Sequence, residues 1–104
     1  MKQYFRVFSE KGEDFTCYWV SISTKVSSED GDKYVSAPIS ARLSKDAEKV
    51  FNDNKQKTKT KNIKQCVMIS NDFWLKAVQP KDEELKPFVV LFINTAEAAK
   101  EDDE

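Results

Sequence analysis

Segments rich in aromatic and β-branched residues alternate with polar turns along the chain. Apolar and polar residues alternate with a period of two in the longer segments, a pattern that predicts β-strands rather than helices. Five strands are predicted, over residues 4–9, 15–26, 33–43, 63–79 and 87–94. The last is near-continuously apolar, which predicts a strand buried on both faces.

Two features interrupt the predicted strands. Pro38 lies inside the third strand, and because proline has no N–H to donate to a ladder, it predicts a sheet edge or a bulge at this point. Asn71 and Asp72 are turn-type residues within the fourth strand. They mark a possible break, so that this segment is either one long strand or a bent pair.

One helix is predicted between the third and fourth strands. Ser44 is a favoured N-cap residue, and Asp46 and Glu48 would lie in the first turn, where acidic side chains complement the helix dipole. Apolar residues recur at helical spacing up to a predicted end near residues 52–54. The wholly polar residues 55–62 predict a mobile basic loop.

The predicted order is β-β-β-α-β-β, an all-β fold class that includes one short helix. Five strands with a helix between the third and fourth predict a barrel of the OB-fold type, whose face binds oligonucleotides and oligosaccharides. An open antiparallel sheet with a helix packed on it is the alternative. Residues 1–95 are predicted to form the binding domain and residues 96–104 an acidic, disordered tail.

The alternation of side chains places a large aromatic residue on the polar face of each long strand, together with small hydroxyl residues and a cation. These pairs are Trp19 with Lys25, Tyr34 with Arg42, and Trp74 with Lys76. Single-stranded nucleic acid is recognised by such surfaces, because bases stack on aromatic rings while cations follow the phosphates. The alternative is that these rings lie half-buried at sheet edges or under a loop.

The candidate site is therefore a nucleic-acid-binding face without catalytic residues. Base stacking is assigned to Trp19, Tyr34 and Trp74. Phosphate contacts are assigned to Lys25, Lys33, Arg42, Lys64 and Lys76. The lysines at positions 55, 57, 59, 61 and 64 have no intervening acid, so this run either steers a polyanion or is a solvated loop.

Charge is distributed unevenly along the chain. The net charge is −1, but residues 97–104 hold five acidic side chains and one basic, so residues 1–96 carry a net charge of +3. A mildly basic body with an acidic C-terminal segment is the result.

Several kinds of chemistry lack the residues they need. The chain has no histidine and only two glycines, which excludes histidine-based catalysis and a glycine-rich phosphate loop. Cys17 and Cys66 are too few for a disulfide framework and indicate free thiols in a reducing compartment. We therefore expect no enzyme, no cofactor and no metal. With no apolar run long enough to span a bilayer and no signal-peptide pattern, we expect no membrane partner and a cytoplasmic location.

Three stretches resemble the bacterial and phage single-stranded DNA-binding protein family. Residues 34–48 (YVSAPISARLSKDAE) are similar to its third strand running into its helix. Residues 67–75 (VMISNDFWL) and 89–97 (VVLFINTAE) are similar to its closing strands. The acidic residues 101–104 resemble the family's tail, which recruits partner proteins.

The resemblance implies an OB-fold protein, of bacterial or phage origin, that binds single-stranded DNA with little sequence preference in DNA replication or recombination. It also implies self-association as a dimer or tetramer, and partner proteins recruited by the tail. A different class of function stays open from the residues. The same exposed aromatic side chains could anchor a protein-interaction module, such as a phage inhibitor of a host protein. Binding of RNA or of oligosaccharide by a similar barrel is a further alternative.

Overall fold

The predicted strands and helix all form in a computed structural model of the chain, which describes residues 2–99 except the side chains of Ser23 and Thr24. The chain is mainly β with one short helix, as the sequence predicts. The elements are β1 (Gln3–Lys11), β2 (Thr16–Ser28), β3 (Gly31–Leu43), α1 (Lys45–Asn54), β4 (Gln56–Lys57), β5 (Ile63–Val78) and β6 (Phe88–Ala98).

The strands form one mixed sheet whose pairing closes into a ring. Its order is β1-β2-β3-β6-β5-β4, and β1 also pairs with β5. The β3–β6 pair is parallel and the other pairs are antiparallel. The alternative of an open antiparallel sheet is therefore wrong.

Alternation along the strands directs one set of apolar side chains to the inside of the ring. Val7 and Val20 are register partners on β1 and β2, and both are buried in one cluster with Met68. Helix α1 covers one end of the ring through Ala47 and Phe51. The Phe51 ring packs edge-on against Tyr18, with ring centroids 5.3 Å apart.

Helix α1 begins where the sequence predicts. The Ser44 hydroxyl accepts a hydrogen bond from the Ala47 N–H at 3.1 Å, which satisfies one of the free amides of the first turn. The same hydroxyl donates to the Asn94 carbonyl of β6. Ser44 therefore fixes the helix start and ties it to the sheet.

The predicted break in β5 is confirmed as an irregularity in its pairing with β6. The register shifts between Ile69 and Asp72 and again between Asp72 and Phe73. An extra residue in one strand reverses which face the following side chains occupy. Strict alternation along the predicted strand places Ile69 on the same face as Phe73, and Ser70 on the polar face. Both expectations are wrong, since Ser70 is only 3% exposed.

Pro38 lies at an edge and not at a bulge. The β2–β3 register is continuous through the Ser21–Pro38 pair. In the described part of the chain, β3 pairs with β6 only over residues 40–43, so Pro38 has no strand on its other side. Residues 21–28 and 31–38 form a two-stranded ribbon that extends beyond the ring, and its turn uses Gly31 at φ 109°.

Two boundaries differ from the predictions in ways that change the fold. Residues 56–57 of the predicted loop form β4, which pairs with β5. Strand β6 runs to Ala98 because it pairs with β5 up to Met68, so the predicted start of the tail at residue 96 is wrong. The acidic residues 101–104 lie outside the described residues.

Burial of the last strand is confirmed for only part of its length. Val90, Leu91 and Ile93 are buried, whereas Phe88 and Val89 are each 45% exposed. These two residues precede the segment that pairs with β3, which begins at Val90.

Among residues 2–99, none of the helices has the length and apolar character needed to cross a membrane.

Candidate nucleic-acid interface

The outside of the ring carries aromatic, small polar and cationic residues around the buried Val90. Register partners place Phe8 beside Trp19, Trp19 beside Ser40, Ser40 beside Val90, and Val90 beside Lys76. A second row runs from Arg42 to Phe92 to Trp74. We call these eight residues the outer aromatic face.

Each tryptophan of the outer aromatic face is stacked on a phenylalanine of the neighbouring strand. The Trp19 and Phe8 centroids are 5.7 Å apart with ring planes at 12°, and those of Trp74 and Phe92 are 5.3 Å apart at 9°. Such pairs contribute about 0.5–1.5 kcal/mol beyond the area they bury. The stacks hold both indoles in defined orientations, while Trp74 remains 48% exposed.

Strand β3 lies between the two aromatic stacks. It contributes Ser40 beside Trp19, and Arg42, which is exposed, beside Phe92. Trp19 and Trp74 lie on strands three spacings apart, a separation of about 14 Å across the sheet. A cation and a hydroxyl therefore lie between two aromatic platforms.

An open groove of about 510 Å³ borders this surface. Arg42 and Ser40 line it together with the exposed Phe15 of the β1–β2 turn and Phe88 at the start of β6. The Gly12 N–H donates to the Phe15 carbonyl at 2.9 Å, which closes that turn. The groove can therefore hold an extended ligand against β3.

Four of the eight predicted site residues meet on the outer aromatic face: Trp19, Arg42, Trp74 and Lys76. Tyr34 and Lys25 are register partners on the same side of the ribbon. Tyr34 is six residues from Ser40 along β3, about 20 Å away. Lys25 forms an ion pair with Asp32 at 3.1 Å, which offsets its charge.

The structure does not bring Lys33 and Lys64 to this surface. Lys33 pairs with Val26 and follows the alternation of the ribbon to the side opposite Tyr34. Lys64 pairs with Ser9, which is buried, and shares a face with Cys66 and Met68. The irregularity in β5 explains the error, because it reverses the faces between Lys64 and Lys76.

The sequence reasoning did not include the stacking partners Phe8 and Phe92. Their signal was present in the alternation of the first and last strands, where Phe8 falls between the buried Val7 and Ser9. Phe92 likewise lies between the buried Leu91 and Ile93. The pairing with the tryptophans required the register of strands distant in sequence.

In residues 2–99, no group of three or more His, Cys, Asp or Glu side chains is placed to hold a metal ion. The sequence matches no protein-family model, and comparisons with curated proteins and with solved structures found no match. The resemblance to single-stranded DNA-binding proteins therefore stays a prediction.

Proposed function

We propose that the chain is an OB-fold-like protein that binds single-stranded DNA with little sequence preference. The observation that carries the proposal is the pair of aromatic stacks on the outside of the ring, one with the half-buried Trp19 and one with the exposed Trp74, on either side of Arg42. The fold part is supported by the closed ring of five long strands and by the helix between β3 and β5.

The stacks give each residue of the face a role. Every base has a π-face, so Trp74 and Trp19 can stack on any nucleotide without reading its edge. Phe92 and Phe8 orient the indoles. Arg42 contacts a phosphate between the two platforms, and Lys76 contacts the next one beyond Trp74.

Residues outside the ring extend this role along the ribbon. Tyr34 and Lys25 face the same side as Trp19, so a longer strand would reach them after leaving the groove. Their contribution depends on ligand length, because about 20 Å separates Tyr34 from Ser40.

Titration with oligo-dT at low salt tests the proposal, because both tryptophans lie on the face and report on binding. We expect saturable quenching of their fluorescence. Arg42→Gln removes one phosphate contact and is expected to lower the slope of log affinity against log salt by about 0.7. Lys49→Gln, on the exposed side of α1, is the matched control and leaves that slope unchanged.

Two results would overturn the proposal. The first is the absence of quenching at micromolar protein and low salt. The second is an affinity independent of salt, since phosphate neutralisation makes affinity fall steeply as salt rises. The second result favours the alternative of a protein-interaction module.

A further inference from the structure

A second cationic site lies at the end of the ring that α1 covers. It is a cavity of about 230 Å³ between β1, β2, α1 and the segment before β5. Asn52 and Asn62 line it. Four lysines also line it, namely Lys11, Lys55, Lys61 and Lys64. We call this cavity the lysine pocket.

Backbone and hydroxyl contacts hold the lysine pocket together. The Lys11 N–H at the end of β1 donates to the Asn62 carbonyl at 3.4 Å. The Thr58 hydroxyl accepts from the Thr60 N–H at 3.1 Å and donates to the Ile63 carbonyl at 2.8 Å. The segment that supplies Lys61 is therefore folded back onto β5 and does not extend away from the protein.

The charges of the lysine pocket are unbalanced. Its lining contains one carboxylate, that of Glu48, which accepts a hydrogen bond from the Tyr18 hydroxyl at 2.8 Å. In the described residues, the ion pairs of the chain use Lys2, Lys25 and Lys49, none of which lines the pocket. Four ammonium groups against one carboxylate raise the local concentration of anions.

The lysine pocket lies near the outer aromatic face on two strands, but its residues occupy the opposite side of the sheet. Lys11 and Thr16 are register partners on β1 and β2, and Thr16 also lines the pocket. They lie three residues beyond the partners Phe8 and Trp19, a distance of about 10 Å. Three is an odd number, so alternation places Lys11 and Thr16 on the side of the sheet opposite Trp19, and an extended ligand stacked on Trp19 would reach Lys11 by passing around the β1–β2 turn.

We propose that the lysine pocket binds a phosphate group. The source of that phosphate rests on the proposed function. We assign it to the backbone of the bound DNA strand, where the DNA leaves the outer aromatic face at Trp19. Ammonium groups bind phosphate oxygens through charge-assisted hydrogen bonds, and the amides of Asn52 and Asn62 supply neutral donors. The DNA strand would then follow β2 from the aromatic stack and pass around the β1–β2 turn into the pocket.

Two double variants separate the pocket from the general charge of its segment. Lys61→Gln with Lys64→Gln removes two cations of the pocket. Lys57→Gln with Lys59→Gln removes two cations from the same segment that do not line the pocket, so the change in net charge is equal. Lys11→Gln, from the opposite wall, provides a third variant if the first fails to fold.

The first experiment uses inorganic diphosphate and NMR of the full chain. We expect saturable shifts of the Asn62 and Lys64 amides in the wild type and in the Lys57/Lys59 variant. In the Lys61/Lys64 variant, or in Lys11→Gln, we expect affinity at least tenfold weaker. Either of two results overturns the proposal that the lysine pocket binds phosphate: no saturable shift in the wild type, or an equal response in all variants.

The second experiment uses a short and a long oligo-dT to identify the source of the phosphate. For the long oligonucleotide, the Lys61/Lys64 variant should lower the slope of log affinity against log salt by about 1.4, and the control pair should not. For the short one, neither variant should change the slope. If the Lys61/Lys64 variant leaves the salt slope for the long oligonucleotide unchanged while the wild type binds diphosphate, the assignment of the phosphate to the DNA backbone is wrong. Diphosphate binding without any DNA binding overturns the proposed function and leaves the pocket intact.

Discussion

The two ends of the sheet differ although their strands have the same alternation of apolar and polar residues. At the closed end, which α1 covers, Phe51 and Val7 are fully buried. At the open end, which comprises the ribbon, residues 75–78 and residues 88–89, Ile22 and Val35 remain exposed and Leu75 is 61% exposed. The apolar faces are equivalent in sequence, but only one is covered.

Alternation along a strand determines which side chains share a face, whereas a further element packed on that face determines whether it is excluded from water. Helix α1 supplies this cover at the closed end through Ala47 and Phe51. The open end has a strand pair on each side and, in the described residues, no helix over it. We therefore expect stability to depend on the closed end and binding on exposed residues.

The largest expected effect is the loss of stability from Phe51→Ala. Truncation of a fully buried phenylalanine leaves a cavity and lowers the free energy of unfolding by about 3–5 kcal/mol. Tyr34→Ala at the open end removes a ring that is 75% exposed and should change it by no more than about 0.5 kcal/mol. Urea denaturation measures both, and equal losses would contradict the comparison.

Trp74→Ala should weaken oligo-dT binding by about 1–3 kcal/mol, the value of one base–aromatic stack. Its cost in stability combines the stack on Phe92, about 0.5–1.5 kcal/mol, with the area that the half-buried indole removes from water, and we expect the protein to stay folded. Leu75→Ala is the control, since Leu75 is a neighbouring exposed residue on the other side of β5. If Trp74→Ala unfolds the protein, the assignment of Trp74 to the binding surface is wrong.

Ser44→Ala should lower the free energy of unfolding by about 1 kcal/mol, the usual cost of losing an N-cap. It also removes the bond between the start of α1 and β6. Ser28→Ala removes a comparable bond at the open end, where the Ser28 hydroxyl donates to the Gly31 carbonyl at 2.7 Å. That bond is exposed, so thermal denaturation should detect little change in Ser28→Ala.

The smallest expected effect is confined to alkaline pH. Burial, followed by the hydrogen bond to Glu48 and the charge of Glu48, raises the pKa of Tyr18 well above its usual range. The unfolded chain loses the tyrosine proton first, so the stabilisation is complete below about pH 10 and falls as the pH rises further. The advantage of the wild type over Tyr18→Phe in urea denaturation should therefore shrink between neutral pH and about pH 11. A constant difference would mean that Tyr18 titrates alike in both states.

Local features of the fold could be predicted from the sequence. The start of α1 at Ser44, the edge position of Pro38 and the break near Asp72 each depend on the chemistry of one or two residues. The continuation of β6 to Ala98 could not be predicted, because polar residues enter that strand through pairing with β5.

The candidate site was only partly predictable, because it too depends on how the strands pair. Alternation placed Trp19, Arg42 and Trp74 on an exposed face, but the irregularity in β5 invalidated the inference that Lys64 shares the side of Lys76. The stacks with Phe8 and Phe92 join residues of different strands, and only the register reveals them.

The ring closure has a consequence for the rate of folding. The pairs β1–β2, β2–β3 and β5–β6 join neighbours in the sequence, whereas the ring closes through Gln3 with Ser70 and Ala41 with Leu91. Contacts between distant residues require a large loss of chain entropy before they stabilise the fold, so chains rich in them fold in roughly milliseconds to seconds. Stopped-flow tryptophan fluorescence should then detect the Trp19 and Trp74 environments changing together, because each indole stacks across one pair of neighbouring strands and such a pair is only marginally stable until the ring closes.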